Sequence, residues 1–122
     1  MFEISIKSEF SSAHNLRGYL GKCESLHGHN WQVEAIVTSN KLDKIGMAID
    51  FKKLKKIING ITEKLDHKYL NELVFFKHIN PTSENIAKFI FNKAKPLLKK
   101  ESVSLKSITV WESRHCKASY YE

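Results

Sequence analysis

The spacing of apolar residues changes once in the middle of this chain and then changes back, and that switch restricts its fold more than any other feature. Phe2, Ile4 and Ile6 alternate with Glu3, Ser5 and Lys7, the pattern of a half-buried strand over Phe2 to Phe10. Trp31, Val33, Ala35 and Val37 share one face of a second strand, Asn30 to Ser39. From Asp50 the interval becomes three and four: Phe51, Leu54, Ile58, Ile61 and Leu65 form one stripe of an amphipathic helix, capped by Asp50 and ending near Leu65. A second helix is predicted after Pro81, with Thr82 or Ser83 as cap and Glu84 in its first turn, continuing through Ile86, Phe89 and Ile90 until Pro96 breaks it. Strands return at Val103–Leu105 or Ile108–Val110, and again near Ala118–Tyr121. The order ββααββ predicts one α+β domain over residues 1–122. Its four-stranded antiparallel sheet carries two helices on one face.

With 42% apolar and 27% charged residues, the 122-residue chain has a globular composition, which excludes disorder. No apolar run approaches the ~20 residues of a membrane span. The first residues lack the basic head and apolar stretch of a secretion signal, so with only Cys23 and Cys116 as thiols a reduced, cytoplasmic protein is expected. The net charge is +7, yet of twenty cationic side chains only Arg17 and Arg114 are arginine. Base readout favours arginine's rigid fork, and no nucleic-acid motif is present. Neither nucleic acid nor membrane is expected as a partner, although a basic module with structural zinc is the competing non-enzyme reading. The charge excess suits an anionic small molecule.

The polar stretch from Ser11 to His29 is longer than connections usually are unless they carry function. It contains His27-Gly28-His29. If this leads straight into the second strand, both imidazoles point to one side, and His14 could add a third nitrogen. Three imidazoles suit tetrahedral zinc with one position open, although the same spacing also occurs in loops that hold no metal. Gly28 removes a side chain and frees the backbone near a ligand. Cys23, four residues before His27, is a candidate thiolate; burial as a small apolar residue is the alternative, and a fourth zinc ligand another. Asp66-His67 follows the first helix, where the carboxylate could turn onto the imidazole to make a proton shuttle, or the histidine could simply cap the helix. Glu112, ending an apolar strand, is either an exposed end or an anchor for a ligand with two adjacent N–H donors. A zinc hydrolase built on the same three histidines is a further enzyme reading.

Five segments occur in order: Phe10-Ser11-Ser12-Ala13-His14, Cys23-Glu24-Ser25-Leu26-His27-Gly28-His29-Asn30, Gly46-Met47-Ala48-Ile49-Asp50-Phe51, Leu65-Asp66-His67-Lys68-Tyr69-Leu70-Asn71 and Pro81-Thr82-Ser83-Glu84-Asn85. Together they resemble the 6-pyruvoyltetrahydropterin synthase and 6-carboxytetrahydropterin synthase family over the whole chain. The resemblance implies the tunnelling fold, with sheets joining edge to edge into a barrel, as a hexamer built from two trimers. It implies that His14, His27 and His29 hold zinc, that Cys23, Asp66 and His67 are catalytic, that Glu112 grips the pterin ring, and that Thr82 and Ser83 lie beside it. The implied substrate is 7,8-dihydroneopterin triphosphate. The implied products are 6-carboxy-5,6,7,8-tetrahydropterin, acetaldehyde and triphosphate.

Three residues separate Cys23 from His27, a spacing similar to the bacterial 6-carboxytetrahydropterin synthases of 7-deazapurine (queuosine) biosynthesis; pyruvoyl-forming enzymes usually have a longer gap. Glu24-Ser25-Leu26-His27 also resembles the branch that uses a glutamate to make 6-hydroxymethyldihydropterin for folate, so a dual role stays open, with Glu24 as a further substrate-binding residue. Ala48, Trp31 and Ser113 depart from the usual valine, tyrosine and threonine, and leave the implied ligands intact.

Overall fold

The computed structural model describes residues 1–22 and 24–122; Cys23, the candidate thiolate, lies outside the described residues. The chain runs β1 (Phe2–His14), β2 (His27–Ser39), α1 (Phe51–Thr62), two short 3-10 turns (Leu70–Glu72 and Val74–Phe76), α2 (Ser83–Lys99), β3 (Ser104–Trp111) and β4 (Lys117–Tyr120). The strands form one antiparallel sheet in the order β1-β2-β3-β4. Ile6, Phe10, Trp31, Val33, Ala35, Val37, Ile108 and Val110 are buried on one face of it. Leu54, Ile58 and Ile61 of α1 and Ile86, Ile90, Ala94 and Leu98 of α2 close over that face. The predicted arrangement of two helices on a four-stranded antiparallel sheet is the one observed.

Boundaries differ from the prediction where polar residues do apolar residues' structural work. β1 continues past Phe10 because Ser12 and His14 are buried on the core side, and its ladder to β2 runs on to His14↔His27. β2 accordingly begins at His27 rather than Asn30, and β3 is one continuous strand that takes in Ile108–Val110 and, of the alternative Val103–Leu105, Ser104 and Leu105. Residues 67–69 cover the free edge of β1 at this end: the Ala13 amide donates to the Lys68 carbonyl at 2.9 Å, and the His67 amide to the Ser11 carbonyl at 2.6 Å.

The helices start as predicted: Asp50 accepts from the Lys52 amide and Thr82 from the Asn85 amide. α1 ends at Thr62, and the stripe reaches buried Leu65 through tighter i→i+3 bonds, with the Leu65 amide donating to the Thr62 carbonyl at 2.9 Å. Phe51, placed on the stripe by its spacing, is instead 64% exposed in the first turn. Pro96 does not end α2, which continues to Lys99. An interior proline costs about 3 kcal/mol, and burying Leu98 beyond it returns roughly 1.5–3 kcal/mol, so the last turn survives.

Candidate metal centre and proton relay

His14, His27 and His29 sit at the open end of the core-facing side of the sheet, where β1 and β2 run past the last apolar layer. His14 pairs with His27, and Ser12 with His29. Trp31 floors the cluster, its ring 4.9 Å from that of His14 and 5.1 Å from that of His29. Gly28 has an ordinary backbone, and a Cβ there would meet only the Ser12 carbonyl at 3.8 Å. Nothing in the structure requires glycine between the two histidines.

The tautomers follow from the acceptors around each ring. His14 Nδ1 donates to the Pro81 carbonyl and His27 Nδ1 to the Ser25 carbonyl, both at 2.8 Å. A carbonyl only accepts, so each Nδ1 carries a hydrogen, which in the neutral ring leaves each Nε2 a lone pair. These two Nε2 atoms lie 3.1 Å apart. His29 Nε2 is buried without a hydrogen-bond partner among the described residues, and burial is the chief cause holding its pKa below the ordinary histidine value; Glu112 opposes this, while His14 and His27 add to it. Glu112, just past β3, brings Oε1 to 3.3 Å from both His14 Nε2 and His29 Nε2. The four donor atoms lie within 4.8 Å of one another. The convergence of these four groups fits a cation, and three imidazoles with one carboxylate are a donor set for a borderline-soft divalent ion such as zinc.

The predicted relay pair is also assembled. Asp66 Oδ2 lies 2.9 Å from His67 Nδ1, while Asp66 Oδ1 accepts the Ser11 amide at 2.8 Å. That amide bond, followed by the one to His67, holds the Asp66 carboxyl below its ordinary pKa. His67 has a left-handed backbone (φ 53°), which folds the dipeptide onto β1. Its ring is 84% exposed, so it is not packed against the imidazole cluster, but His29 and His67 line one open groove of about 510 Å³. Thr82 and Ser83 open α2 immediately after Pro81, the residue that fixes His14. Glu24 reaches the cluster from outside, with Oε1 3.8 Å from His27 Nδ1 and accepting the Leu16 amide at 3.3 Å.

Sequence reading missed the polar clamps that shape the loop between β1 and β2. Asn71 accepts from the Asn15 amide and donates back to the Asn15 carbonyl, at 3.0 and 2.8 Å. Asn80 does the same for Arg17, at 2.8 and 2.9 Å. Leu16 and Glu24 close the loop's base, the Glu24 amide donating to the Leu16 carbonyl at 2.9 Å. Each asparagine imitates a strand partner, a role that two residues 56 or 63 positions apart do not announce.

The model of the family described as 6-pyruvoyl tetrahydropterin synthase matches residues 3–122. The chain belongs to that family. A curated relative from Haemophilus influenzae, named 6-carboxy-5,6,7,8-tetrahydropterin synthase, is 34% identical with both chains wholly covered. A Pyrococcus furiosus relative, named dihydroneopterin monophosphate aldolase, is 36% identical over 89% of this chain and 88% of its own. The solved structure of Caenorhabditis elegans 6-pyruvoyl tetrahydropterin synthase superposes with a TM-score of 0.84 at 27% identity, covering 99% of this chain and 95% of that one. The chain thus has the tunnelling fold of the 6-pyruvoyl tetrahydropterin synthase family and is a lyase-type enzyme. Among the described residues no helix is long and apolar enough to cross a membrane.

Proposed function

We propose that this family member converts 7,8-dihydroneopterin triphosphate and one water into 6-carboxy-5,6,7,8-tetrahydropterin, acetaldehyde and triphosphate, with zinc as cofactor, in 7-deazapurine (queuosine) biosynthesis. The observation that carries the reading is the pair of Nε2 lone pairs on His14 and His27 facing each other at 3.1 Å, beside the unpartnered Nε2 of His29. His14, His27 and His29 would hold the metal. When bound, zinc supplies Lewis-acid polarisation of the substrate's side-chain hydroxyls.

The chain's own residues divide the remaining work. Cys23, as a thiolate, takes a carbon-bound proton from the side chain. His67, kept in one tautomer by Asp66, exchanges a proton from another direction. Two bases let the side chain rearrange by tautomerisation, moving electrons within the substrate with no nicotinamide. Glu112 accepts the two N–H groups of the amino-pyrimidinone edge, and Thr82 and Ser83 flank the ring. The excess of lysine draws the triphosphate in. Strands β1 and β4 are both sheet edges, which supports assembly edge to edge into the barrel of a hexamer built from two trimers.

A specific observation favours a second activity, formation of 6-hydroxymethyldihydropterin. The Glu24 carboxylate stands 3.8 Å from a ring nitrogen of His27, where a second base would be useful, and one relative is named an aldolase. The test incubates zinc-loaded protein with dihydroneopterin triphosphate and, separately, the monophosphate, and identifies products by mass. 6-Carboxytetrahydropterin with one equivalent of acetaldehyde is expected from the triphosphate. Turnover of neither compound would refute both activities.

A further inference from the structure

The reading above gives Glu112 one task, gripping the pterin edge, but the carboxylate already has another neighbour. Its Oε1 lies 3.3 Å from His14 Nε2 and 3.3 Å from His29 Nε2. His14 Nδ1 donates to the Pro81 carbonyl, so in the neutral ring its Nε2 is a lone pair, and His29 Nε2 makes no hydrogen bond among the described residues. The carboxylate oxygen, the His14 lone pair and His29 Nε2 thus converge on one point, and a cation shared among them would satisfy all three. With metal–ligand bonds of about 2.0–2.1 Å, the edge of a tetrahedron is roughly 3.3–3.4 Å. The contacts of Glu112 to His14 and His29, at 3.3 Å, match that edge, and the His14–His27 separation of 3.1 Å is close to it. Glu112 Oε1 therefore lies where a fourth donor to that cation would stand.

We propose that Glu112 closes the metal's fourth position in the substrate-free protein and leaves it when the pterin edge arrives, so that ring recognition itself opens the position to the substrate's side chain. A bidentate grip on two N–H donors uses both carboxylate oxygens, so the Oε1 that faces His14 and His29 has to turn toward the ring edge when it arrives. It is built to exchange. The side chain is 37% exposed, so a ring can reach it, and it stands at the start of the exposed turn between β3 and β4, its amide donating to the Cys116 carbonyl at 3.2 Å. Closure at rest also keeps water from the metal's open corner until the correct ring is present. The proposal rests on the pterin reading for its second half; the resting ligand stands on the distances alone.

Cobalt(II) is the probe, because its visible absorption reports coordination number and ligand type. Wild-type protein loaded with cobalt should show the strong bands of a four-coordinate site, and Glu112→Ala should bind cobalt at least about tenfold more weakly, with a weaker, shifted spectrum. Glu112→Gln, which keeps the shape and the backbone bond, should fall between them. Adding 6-methyl-7,8-dihydropterin, which has the ring edge but no side-chain hydroxyl, should shift the wild-type spectrum and leave that of Glu112→Ala unmoved. Unchanged cobalt affinity and spectrum in both variants would overturn the resting ligand even if pterin turnover is confirmed. A resting spectrum that depends on Glu112 but does not respond to the pterin would overturn the exchange. Altered spectra without turnover of dihydroneopterin triphosphate would sink the functional reading and leave the resting ligand standing.

Discussion

His14 Nδ1 donates to the Pro81 carbonyl at 2.8 Å, so the ring that faces the metal position is fixed by the residue just before the cap of α2. The bond does two jobs at once. It sets the tautomer that leaves Nε2 free, and it satisfies a backbone acceptor beside a ring that is only 1% exposed.

Removing His14 and removing His27 should therefore have different costs. Both His14→Ala and His27→Ala should lose the metal, measured as bound zinc per chain. In metal-free protein, His14→Ala should also lose about 1–3 kcal/mol of stability in urea, because it orphans the Pro81 carbonyl and empties a buried site. The side chain of His27 is 37% exposed, so His27→Ala should change metal-free stability by less than about 1 kcal/mol. Full zinc occupancy in either variant would break the ligand assignment.

Asp66 supplies a pH signature. Its folded pKa lies below its ordinary value, first because the Ser11 amide donates to it and then because of His67. A depressed carboxyl contributes stability above its unfolded pKa and loses it as pH falls through the folded one. Asp66→Asn should accordingly be less stable than wild type at pH 7, and the gap should close as the pH drops below about 4. Urea midpoints across pH 3–7 would read this, and a gap independent of pH would show that ionisation is irrelevant there.

The asparagine clamps predict a linked loss of loop order and activity. Asn71→Ala and Asn80→Ala each remove two hydrogen bonds from the backbone of the β1–β2 loop, at roughly 1–3 kcal/mol. Because that loop carries Glu24 to His27, either variant should lower kcat more than it weakens zinc binding. Asn71→Asp keeps the acceptor for the Asn15 amide but turns a carboxylate toward the Asn15 carbonyl, so it should not rescue Asn71→Ala. Wild-type kcat in both alanine variants would reduce the clamps to scaffolding.

How much of this was legible depends on what kind of signal each residue leaves. Trp31, Val33, Ala35 and Val37 declare β2 because burial imposes a period, and Asp50 and Thr82 declare helix starts because a cap needs an oxygen there. The His-x-His pair announced one shared direction, and the structure shows it. Ser12 and His14 extend β1 invisibly, because a strand that ends in a site buries polar groups and breaks the apolar pattern. Pro96 looked like a stop because local rules do not weigh the burial of Leu98. Asn71, Asn80 and the Pro81 carbonyl left no trace at all: hydrogen bonds between distant segments have no period, and a backbone carbonyl is present at every position. The nearness of Glu112 to His14 and His29 was likewise a matter of sheet register, set by pairing of Gln32 with Trp111.

Cys23 and Glu24 are adjacent in sequence and should separate by product. Cys23→Ala should retain zinc and lose formation of 6-carboxytetrahydropterin by orders of magnitude, since the proposed proton acceptor is gone while His14, His27 and His29 remain. Glu24→Ala removes the acceptor for the Leu16 amide, a half-exposed bond worth about 1 kcal/mol, and should leave carboxy-forming activity largely in place. Any 6-hydroxymethyldihydropterin formed by wild-type protein should disappear in that variant, because the carboxylate beside His27 is the only feature that distinguishes the two activities in this reading. Product analysis of both variants with the triphosphate and the monophosphate decides the matter. If hydroxymethyl product survives Glu24→Ala, Glu24 serves the loop and not the chemistry; if carboxy product survives Cys23→Ala, the proton leaves by another base.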